Sequence, residues 1–435
     1  MTSPEGAGHD PLAPQEGGTG EAAGGSGAGA SPGQGPLRDL LVGQAVSALG
    51  DWMGTVALMA LVLQLTDSAT AVGGVLVLRL APTVLAGPVA ARLVTRWSRR
   101  RIMLAMDAVR IPAVAVLPWV TELWWVYLWA FVVELAGMVF LPARDASIPD
   151  LVADEDGLAV ANGLVLGTSY GMIPVGAGLY ALVAAVAGTD GGLAAARVVF
   201  AVDAVTFAVS FVAIARLPEL GTSPGTVAGT GGRFLDAWRL PLVRRLVPVA
   251  AVVALGLGAL FSLGIVWVRE VLGATDTEFG LLVACFGVGA GIGLLVLRWL
   301  GRRDFRMVRT TLVAQGAVVA TMSLAPAIGF ALLGAVAFGA FTALALASAM
   351  ELLQNGLGDR DRVMAFTVFH VVIRGSLAVA ALGAGVADDL LDEVTWPLVG
   401  HLESTQVVLM SSGILVVLVA LAAGRATAAV DVRAR

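Results

Sequence analysis

No lysine occurs in this chain; all 27 basic residues are arginines. Histidine is found at only three positions, 9, 370 and 401, and cysteine at one, Cys285. A lone cysteine excludes an intrachain disulfide, and inside an apolar run it reads as a small buried hydrophobe. No Cys/His spacing suits a metal, so no cofactor is expected. No G-x-x-x-x-G-K-[ST] phosphate loop is present, so nucleotide hydrolysis is not the expected energy source. Charge is scarce too. Only 14% of residues are charged, against about 25% in a soluble domain. The net charge of −5 leaves no basic footprint for nucleic acid.

What remains is apolar: 58% of 435 residues, with mean hydropathy +0.87. Water could not be kept from that much surface by one soluble fold, whereas lipid tolerates it. Runs of about 20 apolar residues mark membrane helices. They fall near 39–65, 71–93, 102–120, 123–142, 160–184, 197–216, 246–268, 279–300, 308–327, 329–350, 363–387 and 405–424. The expected fold is an all-α membrane protein of twelve transmembrane helices in two six-helix halves.

Residues 1–36 are Gly, Ala, Ser, Pro and Gln with few large apolar side chains, so a disordered cytoplasmic tail is expected. The halves are read as 37–216 and 246–424, separated by a linker over 217–245 and followed by a cytoplasmic tail over 425–435. Within the linker, Phe234, Trp238 and Leu242 share one helical face, which predicts an interfacial helix. Alternate connections differ in charge. One set carries Arg96, Arg99, Arg100, Arg101, Arg144, Arg233, Arg239, Arg244 and Arg245; the other carries Glu122, Asp190, Glu270, Asp276, Asp388, Asp389 and Glu403. Only Arg197 and Arg269 break the pattern. The arginine side is therefore expected to be cytoplasmic, with both termini there and the chain in the plasma membrane.

Charges inside apolar spans are costly and need a partner or a task. At 1.5 Å per residue, Asp51 lies near mid-depth of the first span and Glu134 near the middle of the fourth. Neither has a same-helix partner, which makes both candidates for binding a proton or substrate. Asp107 and Arg110, at i and i+3, read as a structural pair. Arg110 and Glu134 lie at similar depth on adjacent spans and are expected to pair in at least one conformation. Arg79, Asp203 and Arg374 could tune the site or hold the bundle together. His370, one turn before Arg374, reads as a packed or paired histidine. Gly50-x-x-x-Gly54 and Gly287, Gly289, Gly291 and Gly293 form small-residue stripes for close helix packing. Gly167 to Gly171 matches the G-x-S-x-G nucleophile elbow, but it lies in an apolar helical run without the strand–turn–helix context that chemistry needs, so no enzyme is expected.

Gln44 to Asp51, Thr66-Asp67-Ser68-Ala69, Leu141-Pro142-Ala143-Arg144, Ile148 to Leu151 and Ala161-Asn162 resemble the major facilitator superfamily, in particular the drug-antiporter branch that includes macrolide and siderophore exporters. The resemblance covers most of residues 38–424. It implies a monomeric carrier of a small apolar or amphipathic molecule, driven by the proton gradient and working by alternating access about a midplane site. It also implies a gating loop after the second span, here Arg96, Arg99, Arg100 and Arg101. That loop has Ala91 where the family usually has glycine and Thr95 where it usually has an acid, so its latch should differ. Uptake instead of efflux, or a non-transporting membrane sensor or assembly partner on the same scaffold, are the alternative readings.

Overall fold

The structure is a computed structural model and describes residues 34–79, 82, 96–119, 122–152, 155–187, 192–221, 239–300, 304–356, 359–391, 394–396 and 400–433. Twelve α-helices follow one another among these residues. They are α1 (Gln34–Thr66), α2 (Ala69–Arg79), α3 (Arg99–Val116), α4 (Leu123–Ser147), α5 (Glu155–Ala187), α6 (Gly192–Ala215), α7 (Pro241–Val266), α8 (Asp276–Trp299), α9 (Phe305–Met322), α10 (Ile328–Gly356), α11 (Asp359–Leu390) and α12 (Ser404–Arg433). Every expected span falls on one of them. Nine are long and apolar enough to cross a membrane. Helix α9 is not among the nine; it carries Arg306, Arg309 and Gln315. Only part of the expected second span is described.

The helices run past the apolar windows at several ends, because end turns carry polar residues that hydropathy discounts. Helix α1 begins at Gln34, so the expected tail boundary at 36 falls inside its first turn; Pro36 is tolerated there because first-turn amides lack intrahelical acceptors. Helix α12 continues through Arg433. The expected tail over 1–33, Ala91 and Thr95, and the expected interfacial helix at Phe234 and Trp238 lie outside the described residues. A two-stranded hairpin, β1 (Val394–Trp396) and β2 (Gly400–Leu402), joins α11 to α12 and was not expected.

Packing falls into two groups, one among the first six helices and one among the last six. Helix α1 packs on α5 and α6, and α3 on α4 and α6; α7 packs on α11 and α12, α8 on α10, and α9 on α10 and α12. Helix α5 also packs on α8, joining the groups. The small-residue stripes make these approaches possible, since lipid offers no hydrophobic drive between helices and backbone contact must supply it. The stripe in α8 divides between neighbours. A Cβ on Gly287 would lie 2.6 Å from Pro174 of α5, while Gly289 and Gly293 abut Val336 and Ala340 of α10, and Gly291 meets nothing within 4 Å.

The two arginines that break the charge pattern are both engaged locally. Arg269 sits in a π-helical turn (Trp267–Val271) and grips Asp276 at 2.6 Å through both Nε and Nη2. Arg197 lies over the Trp119 ring, 5.2 Å from its centroid.

Candidate functional site

Five of the seven membrane-embedded candidates line one cavity. Asp51 of α1, Arg79 of α2, Arg110 of α3, Glu134 of α4 and Arg374 of α11 surround a cavity of about 460 Å³. The cavity reaches from Thr55 to Gln44 along α1 and from Val133 to Arg144 along α4, toward the arginine-rich end. Asp203 of α6 stands behind Asp51, bordering a smaller recess shared with Asp51, Arg79 and Glu134. The side chain of His370 lies outside the described residues.

The Arg110–Glu134 pair expected in at least one conformation is not made in this one. Glu134 Oε2 accepts from Arg79 Nε at 3.4 Å, and Arg79 Nη1 donates to Thr55 Oγ1. Arg110 instead pairs with Asp107 one turn earlier on α3, the structural pair foreseen. The reason is packing on both sides of the guanidinium. It is sandwiched between the Phe140 and Phe207 rings, 4.5 and 4.4 Å from their centroids, which favours a cation held against π faces. Arg110 Nε is buried without a hydrogen-bond partner. Asp107, fully buried, accepts from Ser210 Oγ at 2.8 Å, and Ser210 accepts in turn from Gln44 Nε2 at 3.2 Å. This polar thread ties α1, α3 and α6 together.

Asp203 is 4% exposed. Its carboxylate accepts from Thr206 Oγ1 at 3.2 Å and makes no ion pair among the described residues. It rests against the α1 backbone where Gly50 and Gly54 leave room: a Cβ on Gly54 would stand 2.8 Å from Asp203 Oδ2. Asp51 and Asp203 thus border one recess beside the α1–α6 contact, and Asp51 also lines the larger cavity with Arg79 and Arg110.

The arginines after α2 have a different job. Arg99 Nη1 donates to Ala146 O at 2.6 Å and to Asp150 Oδ2 at 2.5 Å. Arg100 donates to Ile214 O and Ala215 O and reaches Glu219 at 3.1 Å. Both satisfy carbonyls that helices α4 and α6 leave without partners at their C-termini. Arg96 and Arg101 are exposed.

At the opposite end α11 is tied to the start of α2. Asp389, at the end of α11, accepts from Ser68 Oγ at 2.8 Å, Ala69 N at 3.1 Å and Thr70 N at 3.2 Å. A Cβ on Gly385 would lie 2.5 Å from Ala69 O, and one on Gly73 2.6 Å from Ala381 O. Contacts between the two helix groups gather here, whereas deeper in the cavity Arg374 Nη1 reaches Met138 Sδ at 3.5 Å. Arg144, read in the sequence as a loop arginine and as the end of the resemblance segment Leu141 to Arg144, lines the cavity and is held by Asp145 at 2.9 Å. Thr55 and Trp52 were not singled out, and Asp389 was read only as one acid of an acidic connection; a threonine in an apolar run and an acid in an acidic loop carry no distinguishing pattern. The G-x-S-x-G segment lies inside continuous helix α5.

The family model described as the Major Facilitator Superfamily matches residues 40–381. A Bacillus subtilis (strain 168) protein, the uncharacterized MFS-type transporter YfiS, is 28% identical over 280 residues, covering 61% of this chain and 64% of that protein. The match therefore spans less than two thirds of the relative. Among solved structures, the nucleoside transporter NupG has TM-score 0.72 at 11% identity, covering 90% of this chain and 98% of that one. A bacterial homologue of the human lysosomal transporter Spinster, inward-facing and occupied, has TM-score 0.72 at 15% identity, covering 91% and 98%. A bacterial homologue of the iron transporter ferroportin, inward-facing, has TM-score 0.68 at 14% identity, covering 89% and 98%. At these identities the likeness is one of fold.

Proposed function

This chain belongs to the Major Facilitator Superfamily of membrane transporters, and we propose that it is a secondary carrier of the drug-antiporter type. In this reading it exports a small apolar or amphipathic molecule across the plasma membrane in exchange for protons. The observation that carries it is the cavity of about 460 Å³ with Asp51, Arg79 and Glu134 on its wall. The cavity reaches toward the arginine-rich end, read as cytoplasmic, while at the other Asp389 ties α11 to the start of α2.

Asp51 and Asp203 are the proposed proton site. They are neighbouring acids in the span region without an ion-pair partner among the described residues, so a proton can come and go without breaking a structural pair. Glu134, held by Arg79, is the second acid in the exchange. Rocking of residues 37–216 against 246–424 about this point would expose it to each side in turn. The open cavity supports a carrier over a non-transporting scaffold, whose axis would be filled.

The test is purified protein in proteoliposomes with an imposed pH gradient, alongside a resistance and accumulation screen in cells lacking their own exporters. Gradient-driven accumulation of a screened compound is expected, with loss of gradient dependence in Asp51→Asn. Accumulation that proceeds equally without a gradient, or unchanged in both Asp51→Asn and Glu134→Gln, rejects proton exchange.

A further inference from the structure

We infer that Asp203 carries the exchanged proton in this conformation, that Thr206 is the positioning residue holding it there, and that Asp51 passes it to the cavity. This rests on the proton-exchange reading and assigns the order in which its two neighbouring acids work.

A threonine hydroxyl has one hydrogen to donate and lone pairs with which to accept. Thr206 Oγ1 has two oxygens of Asp203 within reach, the backbone O at 2.7 Å and Oδ1 at 3.2 Å. The shorter contact has the usual length of an O–H···O bond, so the hydrogen belongs there. With Asp203 ionised, the contact to Oδ1 would then set lone pairs against each other. With a proton on Oδ1 both contacts are made at once: Thr206 donates to Asp203 O and accepts from Oδ1. The α1 backbone covers the pair. A Cβ on Gly50 would collide with both Thr206 Oγ1 and Asp203 Oδ1, and one on Gly54 would stand 2.8 Å from Oδ2.

The other fully embedded acid has the opposite arrangement. Ser210, one turn after Thr206 on α6, accepts from Gln44 Nε2 at 3.2 Å, so its own hydrogen goes to Asp107 Oδ2 at 2.8 Å. Arg110 Nη2 donates to Asp107 Oδ1. Asp107 therefore only accepts, as a carboxylate does. Hydroxyls on one face of α6 thus distinguish a charged acid from a neutral one.

The charged groups on the helices around Asp203 are Asp51 of α1, Arg79 of α2, Asp107 and Arg110 of α3 and Glu134 of α4. Arg79 is held by Glu134 and Arg110 by Asp107. Asp51 and Asp203 border one recess of about 30 Å³, room for at least one water. Two carboxyl groups on one small recess share a proton more readily than both ionise. Asp51 also lines the larger cavity, so it connects the recess to that space. On release the proton leaves Asp203 Oδ1 for the Asp51 carboxylate, and Thr206 turns its hydrogen to the carboxylate left behind. Asp51 then gives the proton up to the cavity.

The test is infrared difference spectroscopy of the full chain in lipid nanodiscs, stepped between acid and alkaline pH in ordinary and heavy water. A protonated-carboxyl C=O stretch that shifts with deuterium is expected. It should vanish in Asp203→Asn, move to higher frequency in Thr206→Val, which removes the acceptor, and return in Thr206→Ser. In Asp51→Asn it should persist, and its loss after a step to alkaline pH should slow by on the order of a hundredfold. A band lost with Asp51→Asn and kept in Asp203→Asn, a band unmoved by Thr206→Val, or no such band overturns the assignment. Thr206 bonds no other carboxyl among the described residues, so the Val and Ser variants decide the matter even if Asp203→Asn misfolds. The band without gradient-driven flux would reject proton exchange and leave Asp203 a buried neutral acid. Gradient-driven flux without the band would reject this assignment and leave proton exchange standing.

Discussion

Asp389, the penultimate residue of α11, caps the start of α2 through Ser68, whose hydroxyl donates to Asp389 Oδ2 at 2.8 Å across 321 positions of sequence. The first amides of a helix have no intrahelical acceptor. Here Ala69 N and Thr70 N go to Asp389, Ala71 N to Ser68 Oγ at 3.2 Å, and Val72 N to Ser68 O at 3.2 Å. The end opposite the arginines is thus tied by an N-cap shared between distant helices, with the helix dipole favouring the carboxylate.

Asp389→Ala should leave the Ala69 and Thr70 amides without acceptors whenever the end is closed. Hydrogen exchange at those two positions is expected to quicken at least about tenfold, the loss of roughly one capping interaction. Ala71 should change less. Unchanged protection at both amides would mean that the cap contributes nothing to closure.

Asp107→Asn and Asp51→Asn should separate structure from transport. Asp107 is fully buried beside Arg110, so removing its charge leaves a buried cation uncompensated, at about 3–5 kcal/mol. Thermal unfolding in detergent should fall sharply for Asp107→Asn. Asp51 has no ion-pair partner among the described residues, so Asp51→Asn should unfold near the parental temperature while losing coupling to the pH gradient. The opposite ranking of melting temperatures would reverse the assignment.

Gly54→Ala should be destabilising because its new methyl would stand 2.8 Å from Asp203 Oδ2. Asp203→Ala vacates that space. The pair should therefore be non-additive, with the double variant recovering about 1 kcal/mol or more relative to the sum of the singles. Strict additivity of the melting shifts would show that the carboxylate can move aside freely.

Arg79 and Glu134 are both part-buried, at 26% and 20% side-chain exposure. Glu134→Ala should reduce stability by about 1–3 kcal/mol, and the charge swap Arg79→Glu with Glu134→Arg should restore part of it. Comparing the melting temperatures of the single variants and the swap checks this. A swap no better than either single variant would show that the pair is not a direct contact in the membrane.

The sequence was informative about depth and poor about direction. Apolar runs placed all twelve helices, and distance along each run put Asp51, Arg79, Arg110 and Glu134 at levels where one cavity now holds them. Which charges meet depends on how each helix is turned about its axis, and spans such as α1 and α6 are apolar nearly all round, so periodicity says little. Arg110 was expected on Glu134 in at least one conformation; in this one the rings of Phe140 and Phe207, on two other helices, flank it beside Asp107. Asp389 was one acid among several in an acidic connection, and only the approach of Gly385 to Ala69 gives it a role. The separation of residues 37–216 from 246–424 as rocking units belongs to the proposed mechanism.

The account rests on one cavity being reached from opposite sides in turn. Its most direct test is labelling of a single cysteine at Met138, a cavity-lining position, in a Cys285→Ala background with membrane-impermeant maleimide. In membranes presenting the arginine-rich face, Met138→Cys should react readily; from the Asp389 face it should react slowly, and faster once Asp389→Ala is added. Equal reactivity from both faces, or reactivity from the Asp389 face alone in the unmodified latch, would contradict alternating access through this site.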